Sequence, residues 1–503
     1  MTGWPILSLV VFSPLIGVAL ILFVPAGNHR LIRGIALMAA LASLVFSLRL
    51  LGYQPDGAEF QYREDISWIA AFGMRYTLGV DGLSVVLVLL TTVLSVVSIF
   101  YSFDPIQTRI KEYYATMLLL MVGMLGVFVS LDLFLFYVFW ELSLIPMYLV
   151  IGIWGGPRRI YATVKFVIYT LVGSLLMLVA ILAVAIAHAS AGNPFTFSYE
   201  TLRGFGYADT LQAFAFVAFF LAFAIKVPMW PFHTWLPDAH TEAPTVGSVL
   251  LAGILLKMGT YGFVRIALPI LPDAARSWAP VLGVLGAVAI IYGALCCLAQ
   301  RDVKRLIAFS SVGHMGFVML GIATLTPTGI NAAVFGMVAH GVVTGMLFFL
   351  AGSMHERYHT RDIVELGGGM ATLMPRLAGV FTMACIASLG LPGLAGFWGE
   401  ILALLAAWNP AAGLSVPLFR TLAAVGLLGT LLTAGYFLWL IQRVNLGRVP
   451  DRWGGRTLGD LAPIEVAAWS PLIVLMVALG FVPGLVLWLA SPSVTGWFTD
   501  LFA

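Results

Sequence analysis

Six ionisable residues lie deep inside apolar stretches of the sequence, where a charged side chain is unexpected. They are Glu141, Lys226, Lys257, His314, His340 and Glu400. A lysine at the centre of a bilayer costs at least ~3 kcal/mol, so it persists only where it is used or paired. Burial disfavours the charged forms of lysine and glutamate, and an opposite charge nearby restores both. These residue types are therefore suited to taking up and releasing protons inside a membrane.

The stretch around Lys226 favours a proton switch formed by Lys226 and Glu141. Three prolines follow the lysine: Pro228, Pro231 and Pro237. A proline removes a backbone donor, and a broken helix is tolerated at membrane depth only where protein or water satisfies the freed backbone groups. A permanent structural ion pair is the alternative interpretation. This alternative is disfavoured because a broken helix would not hold the lysine rigidly enough for a permanent structural ion pair.

Lys257 and two histidines supply further candidate relay groups. Lys257 has no acidic partner in its own helix. The alternative is that its ammonium group extends to the membrane interface, but its position in the middle of an apolar run leaves it far from that interface. An unperturbed pKa near ~6.5 suits histidine to proton transfer. Helical spacing predicts hydroxyl neighbours on the same face, Ser310 and Ser311 for His314 and Thr344 for His340. Hydrogen-bonded core histidines are the alternative.

Glu400 stands at the end of a glycine- and proline-containing break, residues 390 to 400. We predict that it ends the row, with a purely structural carboxylate as the alternative. Joined in chain order, the six residues predict a polar axis that crosses the protein in the plane of the membrane. Access from each side would then require two half-channels.

Other polar residues receive weaker interpretations. Three of them, near the end of the proline-rich stretch, either line an inlet or face water: His233, Asp238 and His240. Two aspartates at span boundaries are expected to cap helices or lie at the interface: Asp81 and Asp132. Two lysines near helix ends are expected to extend to the membrane surface: Lys165 and Lys304.

The composition is that of an integral membrane protein. Of 503 residues, 61% are hydrophobic and only 10% are charged, against ~25% charged residues in soluble domains. The three cysteines form no CxxC pair and are expected to be small core residues. No nucleotide-binding loop, haem motif or iron-sulfur motif is present in the sequence. We therefore expect no redox cofactor in this chain and no nucleic acid partner.

The sequence predicts an all-α polytopic fold with about 14 transmembrane helices, because a bilayer requires ~20 apolar residues per span. The predicted spans are 4–24, 31–51, 79–101, 113–130, 132–153, 161–187, 211–239, 243–266, 279–299, 303–323, 328–354, 374–408, 418–442 and 466–490. The first is expected to be a retained helix. The segments 52–78 and 188–210 are expected to be surface loops, and 355–376, with its GGGM sequence, a large connection.

The two helix breaks predict an internal repeat. The seventh and twelfth predicted spans are both broken, and five spans separate them. An odd offset requires the two five-helix units to be inverted relative to one another. The predicted units are three N-terminal helices in 1–112, a first repeat in 113–266, a second, inverted repeat in 279–442 and a C-terminal connection with the last helix in 443–503.

Basic residues predict the orientation. With the N-terminus outside, inner loops hold 17 arginines and lysines and outer loops hold 7; Lys226 and Lys257 complete the 26 in the sequence. Because cytoplasmic loops are enriched in basic residues, both termini are expected on the periplasmic side of a bacterial cytoplasmic membrane.

Four stretches of the sequence carry a resemblance to a known family. They are YVFWELSLIPMYLVIGIWGG, FAIKVPMWPFHTWLPDAHTEAPTVGSVLLAGILLKMGTYG, DVKRLIAFSSVGHMGFV and LPGLAGFWGE. Each closely resembles the antiporter-like membrane subunits of respiratory complex I, the proton-pumping NADH:quinone oxidoreductase. The likeness extends over nearly the whole chain. Glutamate at position 400, where L-type and N-type subunits usually carry lysine, makes it most similar to the M-type branch, the equivalents of mitochondrial chain 4.

The resemblance implies roles for the buried residues. It implies that Glu141 and Lys226 are the pump pair, Lys257 the central relay lysine, His314 and His340 bridging positions and Glu400 the exit residue. It also implies that NADH, FMN, iron-sulfur clusters and quinone are handled by other subunits, and that L-type and N-type subunits, lipid, protons and internal water are the partners. A subunit of a multisubunit sodium/proton antiporter, or of a related hydrogenase or photosynthetic complex, is the alternative; a static assembly scaffold is a third hypothesis.

Overall fold

The structure of the protein is a computed structural model that describes residues 4–57 and 59–502. Most of the described chain is helical. The helices that precede the first break are α1 (Ile6–Phe23), α2 (His29–Leu48), α3 (Gly82–Tyr101), α4 (Ile110–Val129), α5 (Leu133–Trp154), α6 (Arg159–Ser190), α7 (Tyr199–Arg203) and α8 (Asp209–Lys226). Short 3-10 turns at Arg49–Gly52 and Ala70–Phe72 supplement them.

The remaining helices complete the bundle. They are α9 (Trp235–Glu242), α10 (Thr245–Ile270), α11 (Pro272–Leu298), α12 (Val303–Ala323), α13 (Pro327–Tyr358), α14 (Ile363–Leu366), α15 (Met370–Leu373), α16 (Pro375–Ser388), α17 (Gly396–Trp408), α18 (Val416–Val444), α19 (Pro463–Phe481) and α20 (Gly484–Phe502). Helix α10 contains two π-helical turns, Leu251–Leu255 and Phe263–Ala267.

The predicted multi-pass fold is confirmed. Within the described residues, 13 helices are long and apolar enough to cross a membrane. The pair α16 and α17 supplies one more crossing as a broken helix, so the total agrees with the sequence prediction of about 14. The boundaries of the predicted repeat units stay a prediction.

The first break separates α8 from α9 just after Lys226. Pro228 and Pro231 cannot donate backbone hydrogen bonds, so the helix cannot continue through them. The indole Nε1 of Trp235 donates to the carbonyl oxygen of Ile225 at 2.9 Å, and the amide of Met229 donates to Ala224 at 2.9 Å. The groups freed by the break are therefore satisfied inside the protein, as membrane depth requires.

The second break separates α16 from α17. Gly390 and Gly393 adopt φ angles of +83° and +91°, a region that glycine enters without steric cost. The amide of Ala395 donates to the carbonyl of Met476 at 2.9 Å, and the indole of Trp398 donates to that of Gly480 at 2.8 Å. Helix α19 thus holds the break in place.

The segment 52–78 is not a plain surface loop as expected. It contains an antiparallel hairpin of β1 (Gln61–Ile69) and β2 (Met74–Val80). The carboxylate of Glu64 accepts from the amide of Leu7 at 2.7 Å, which anchors the hairpin to α1. Arg63, Glu64 and Asp65 are consecutive in β1 and most of that strand is exposed, so it has no alternating apolar pattern in the sequence.

The last predicted span, 466–490, is also wrong in detail. The structure divides it into α19 and α20 at Val482 and Pro483. A residue before proline is disfavoured in the α region, and Val482 has φ −128° and ψ 70°. The chain therefore ends in two helices rather than one.

The two most enclosed spans are α10 and α13. All of the apolar window of α10 and 94% of that of α13 are buried inside the protein, compared with 39% for α1 and α18. These central helices carry Lys257 and His340. The sequence therefore places its costliest side chains where protein, not lipid, surrounds them.

A buried ion pair joins α3 to α10. Asp81 caps α3 by accepting from the amide of Ser84, which confirms its expected role, and its Oδ2 lies 2.5 Å from Nη2 of Arg265. Both side chains are almost inaccessible, at 0% and 2%. Arg265, at the end of the predicted span 243–266, is thus a core residue and does not lie in an outer loop. Asp132 is likewise a cap, accepting from Phe134 and Leu135.

We expect Arg265→Gln to be strongly destabilising. Removing one member of a buried pair leaves the carboxylate of Asp81 uncompensated, which costs about 3–5 kcal/mol. Detergent-induced unfolding followed by tryptophan fluorescence measures the loss. The double variant D81N/R265Q should recover much of it, and Arg49→Gln at an exposed position is the control. Equal stability of R265Q and R49Q would contradict the assignment.

Candidate functional site

Lys226 and Glu141 lie near one another without forming a closed ion pair. Lys226 is the last residue of α8, is 2% exposed, and its Nζ stands 5.2 Å from the ring centre of Trp140 on α5. Glu141 is the neighbouring residue on α5, and its buried Oε1 has no hydrogen-bond partner among the described residues. It is the acidic group that acts electrostatically on Lys226. The geometry is that of an open pair, which favours a switch over a permanent brace.

Lys257 is held inside α10 by two close contacts. Its Nζ donates to the carbonyl of Ala252 at 2.6 Å and lies 2.6 Å from Nδ1 of His340 on α13. Ala252 belongs to the first π-helical turn, and such turns alter the helical hydrogen-bond ladder and recur at functional sites. The side chain is fully buried, so the alternative in which it extends to the membrane surface is not what the structure shows.

Glu400 contacts His314 across the second helix break. Nδ1 of His314 lies 3.2 Å from Oε1 of Glu400, and Nε2 lies 3.0 Å from the hydroxyl of Ser388. Ser388 ends α16 and Glu400 lies in the first turn and a half of α17. The break therefore brings two polar groups from its two ends to one imidazole. Thr430 on α18 donates to Oε2 of Glu400 at 3.5 Å.

The hydroxyl groups expected on the same helix faces as the histidines do not form hydrogen bonds to them among the described residues. Ser310 and Ser311 both donate to the carbonyl of Ile307 in their own helix. The hydroxyl partner of His314 is Ser388, which sequence spacing could not reveal because it lies on another helix. The hydroxyl of Thr344 is buried without a partner among the described residues. It lines the same cavity as His340 and does not bond to it.

A small cavity joins the two histidines. Their ring centres are 5.8 Å apart, and Nε2 of His340 is buried without a partner in the described part of the chain. A cavity of about 30 Å³ is lined by both rings together with Thr344, Ser388 and Glu400. That volume admits a water molecule, and the polar lining supplies the partners that a buried water needs. Water can thus complete the step from His340 to His314.

The six predicted residues fall into two groups. Lys257, His340, His314 and Glu400 form one line, whereas Lys226 and Glu141 stand apart from it. Between the groups the packing is tight, because a Cβ on Gly259 would lie 2.8 Å from Val227 and 2.9 Å from the carbonyl of Phe223. No hydrogen bond among the described residues links Lys226 to Lys257. The continuous axis expected from the sequence is interrupted at this point.

Two buried residues form a side branch that the sequence interpretation undervalued. His240 on α9 is fully buried, stacks on Phe348 at 4.5 Å, and has both ring nitrogens unpartnered among the described residues. Its electrostatic neighbours are Lys304 and Lys257. It therefore lies within electrostatic reach of the central lysine and of Lys304 in the first turn of α12, without a hydrogen bond to either among the described residues.

Lys304 does not extend to the membrane surface as expected. It is 4% exposed, and its Nζ donates to the carbonyl of Ala243 at 2.5 Å. Helix α9 packs against α12 and covers its first turn, a tertiary contact that position near a helix end does not indicate. Lys165 also differs from expectation, since it forms a 2.7 Å ion pair with Asp238.

Comparison with known proteins agrees with this architecture, which is that of a multi-pass, antiporter-like membrane protein. The family model for the transmembrane region of NADH:quinone oxidoreductase and Mrp antiporters matches residues 130–426. The chain is 43% identical to NADH-quinone oxidoreductase subunit M of Rhodobacter capsulatus, over 97% of this chain and 95% of that one.

Solved structures show the same fold. A chain of respiratory complex I from Thermus thermophilus with bound NADH is 32% identical and superposes with a TM-score of 0.88, covering 99% of this chain and 100% of that one. A chain of the Mrp complex from Dietzia sp. DQ12-45-1b, at 21% identity, has a TM-score of 0.86 with full coverage of both. The protein belongs to the NADH:quinone oxidoreductase/Mrp antiporter family of membrane subunits. The resemblance noted in the sequence is confirmed, and within the family the chain is most like the M-type subunits.

Proposed function

We propose that the protein is the proton-translocating M-type membrane subunit of an NADH:quinone oxidoreductase. The observation that carries the proposal is the line of polar contacts from Lys257 through His340 and His314 to Glu400. Its first three residues lie on α10, α13 and α12, the most enclosed spans of the bundle. Ionisable side chains are costly in so apolar an environment, so they are retained where they have a function, and proton exchange is the function that these four residue types share.

The residues of the line can pass a proton in consecutive steps. Lys257 donates a proton to Nδ1 of His340, which releases another from Nε2 toward the cavity. Water there hands it to His314, and the imidazole passes it to Oε1 of Glu400. Each step spans a contact of hydrogen-bond length or a gap that one water can fill.

Glu141 and Lys226 act as the gate in this proposal. When Glu141 approaches Lys226, the pair stabilises a protonated lysine; when it withdraws, the lysine loses its counter-charge and the proton is more easily released. The positive charge at Lys226 also changes the potential at Lys257. Closure of this pair thus regulates proton release along the line without a hydrogen bond between the two lysines.

The setting of the subunit is part of the same proposal. NADH oxidation and quinone reduction take place in other subunits, which hold the FMN and iron-sulfur clusters. L-type and N-type membrane subunits are the neighbours. The arginine-rich connections lie in the cytoplasm of a bacterium and both termini on the periplasmic side, since basic residues favour that orientation. His240 and Lys304 then form the cytoplasmic inlet to Lys257.

We expect Glu141→Gln to abolish proton pumping and to slow NADH:quinone turnover in parallel. The amide keeps the shape of the side chain and removes the charge that opens and closes the gate. Proton uptake by membrane vesicles, measured with a pH-sensitive dye during NADH oxidation, tests this expectation. Glu365→Gln removes a carboxylate from a solvent-exposed position and serves as the control.

Unchanged pumping in a correctly assembled Glu141→Gln complex would remove the role assigned to this residue. The same vesicles, assayed with and without sodium, distinguish a proton pump from a sodium/proton antiporter. The proposal predicts uptake that does not depend on sodium. Uptake that requires a sodium gradient and proceeds without NADH would support the antiporter alternative.

A further inference from the structure

A basic pocket opens where α11 and α18 end, outside the line of buried relay residues. Its volume is about 720 Å³, and it lies between the loop after α11, the loop after α14 and the segment that follows α18. Three arginines line it: Arg301, Arg443 and Arg448. All three are exposed. The pocket is large enough for a ligand headgroup, and the proposed function does not use it.

The charge of the pocket is uncompensated. None of the three arginines has an ion pair within 4 Å in the described residues, and no aspartate or glutamate lines the pocket. Asp451, three residues after Arg448, is not part of the lining and forms no ion pair with it among the described residues, and the two carboxylates nearest Arg301 and the loop after α14 are engaged elsewhere. Asp302 pairs with Arg361 at 3.2 Å and caps α12, and Asp362 caps α14. Three guanidinium groups on one concave surface are therefore available to an anion.

The glycine triplet at residues 367–369 builds the wall of the pocket. A Cβ on Gly368 would lie 2.0 Å from the carbonyl oxygen of Leu446, and the amide of Gly369 donates to that oxygen at 3.2 Å. Gly367 has a φ of +61° and packs on Pro450. Only glycine permits this approach. The triplet thus fixes the segment that carries Arg448 against the loop after α14.

The bottom of the pocket continues into apolar surface. Leu298 lines the pocket at the end of α11, Leu446 does so beyond α18, and both are exposed. Leu295 and Leu438 extend the two apolar faces away from the arginines, at 53% and 55% exposure. Trp439 is half-buried at the same level, with the guanidinium of Arg443 5.7 Å from its ring centre. Tryptophan and arginine at this depth are typical of a membrane–water interface.

We propose that this pocket binds an anionic phospholipid of the adjacent leaflet. The arginines bind the phosphate, because guanidinium groups contact phosphate oxygens through paired, charge-assisted hydrogen bonds. The acyl chains lie along the leucines of α11 and α18. An acidic segment of a neighbouring subunit would satisfy the arginines equally well. It would not account for the exposed apolar faces that continue from them into the bilayer region, so lipid is the favoured occupant.

The test compares retained lipids in two triple variants of the assembled complex. R301Q/R443Q/R448Q removes the site, and R30Q/R159Q/R456Q removes the same number of arginines from other loops predicted on the same side. Each complex is incorporated into nanodiscs of phosphatidylglycerol and phosphatidylcholine, then extracted and its bound lipids counted by mass spectrometry. We expect the first variant to retain about one phosphatidylglycerol fewer per complex than the wild type. The control should match the wild type.

Three results would overturn the proposal. One is equal retention of phosphatidylglycerol by the wild type and the site variant, and another is loss of phosphatidylcholine in the same proportion. The third is loss of a neighbouring subunit with lipid retention unchanged, which would identify a protein interface instead. If the triple variant does not assemble, R443Q/R448Q carries the same expectation. Proton uptake by vesicles is a separate measurement, so failure of the lipid site leaves the proposed function untouched.

Discussion

Lys257→Met should reduce proton pumping by at least about 100-fold, because removal of a positioned proton donor typically costs 10²- to 10⁴-fold in rate. Methionine fills a similar volume, so the packing of α10 is preserved while the ammonium group is lost. Nδ1 of His340 would lose its 2.6 Å partner and the carbonyl of Ala252 its donor. The measurement is dye-detected proton uptake by vesicles at saturating NADH.

Lys111→Met is the matched control for this variant. Lys111 lies in the first turn of α4, and its Nζ donates to the backbone carbonyls of Leu22 and Val24. It has no contact with the buried line, so we expect pumping to remain near the wild-type rate. A Lys257→Met complex that contains all its subunits and still pumps at the control rate would contradict the role of Lys257.

Glu400→Gln should stop proton transfer at the other end of the line. The amide keeps the size of the side chain and its oxygen still accepts a hydrogen bond, but it cannot take up a proton, so His314 would have no proton acceptor at the 3.2 Å contact. We expect a loss of pumping of about 100-fold or more, similar to that of Lys257→Met. Uptake by vesicles and the subunit content of the purified complex are measured together.

Serine 388 supplies the control for Glu400→Gln. Ser388→Ala removes the hydrogen bond to Nε2 of His314 without removing a titratable group. Pumping should fall far less than in Glu400→Gln. If the two variants lost pumping equally, the effect would reflect the orientation of His314 and not proton transfer to Glu400.

Much of the fold followed from local patterns in the sequence. Apolar runs of about 20 residues mark spans because the bilayer fixes their length. Prolines after Lys226 and glycines and a proline before Glu400 predict the two helix breaks. The hairpin of β1 and β2 was missed, since β1 carries three consecutive charged residues, Arg63, Glu64 and Asp65, and shows no apolar alternation. The burial of Arg265 was not predicted, because its stabilising partner, Asp81, lies far away in the sequence.

The site was predictable in its residue types and not in its connections. A lysine in the middle of an apolar run is energetically costly to insert into a bilayer, so the sequence alone identifies it as a candidate functional residue. Which groups meet depends on how helices pack. His314 contacts Ser388 and Glu400 from two half-helices, and Lys304 is covered by α9. The gap between Lys226 and Lys257 is likewise a product of tight helix packing at Gly259.

The most direct test of the proton line is infrared difference spectroscopy of the Glu400 carboxyl group during turnover. In the wild-type complex, a protonated carboxyl band that is absent from Glu400→Gln should rise and fall as NADH is oxidised. In Lys257→Met the band should stay constant, because protons no longer arrive from His340 and His314. A Glu400 band that changes in Lys257→Met as it does in the wild type would show that protons reach this residue by another route, and the account would be wrong.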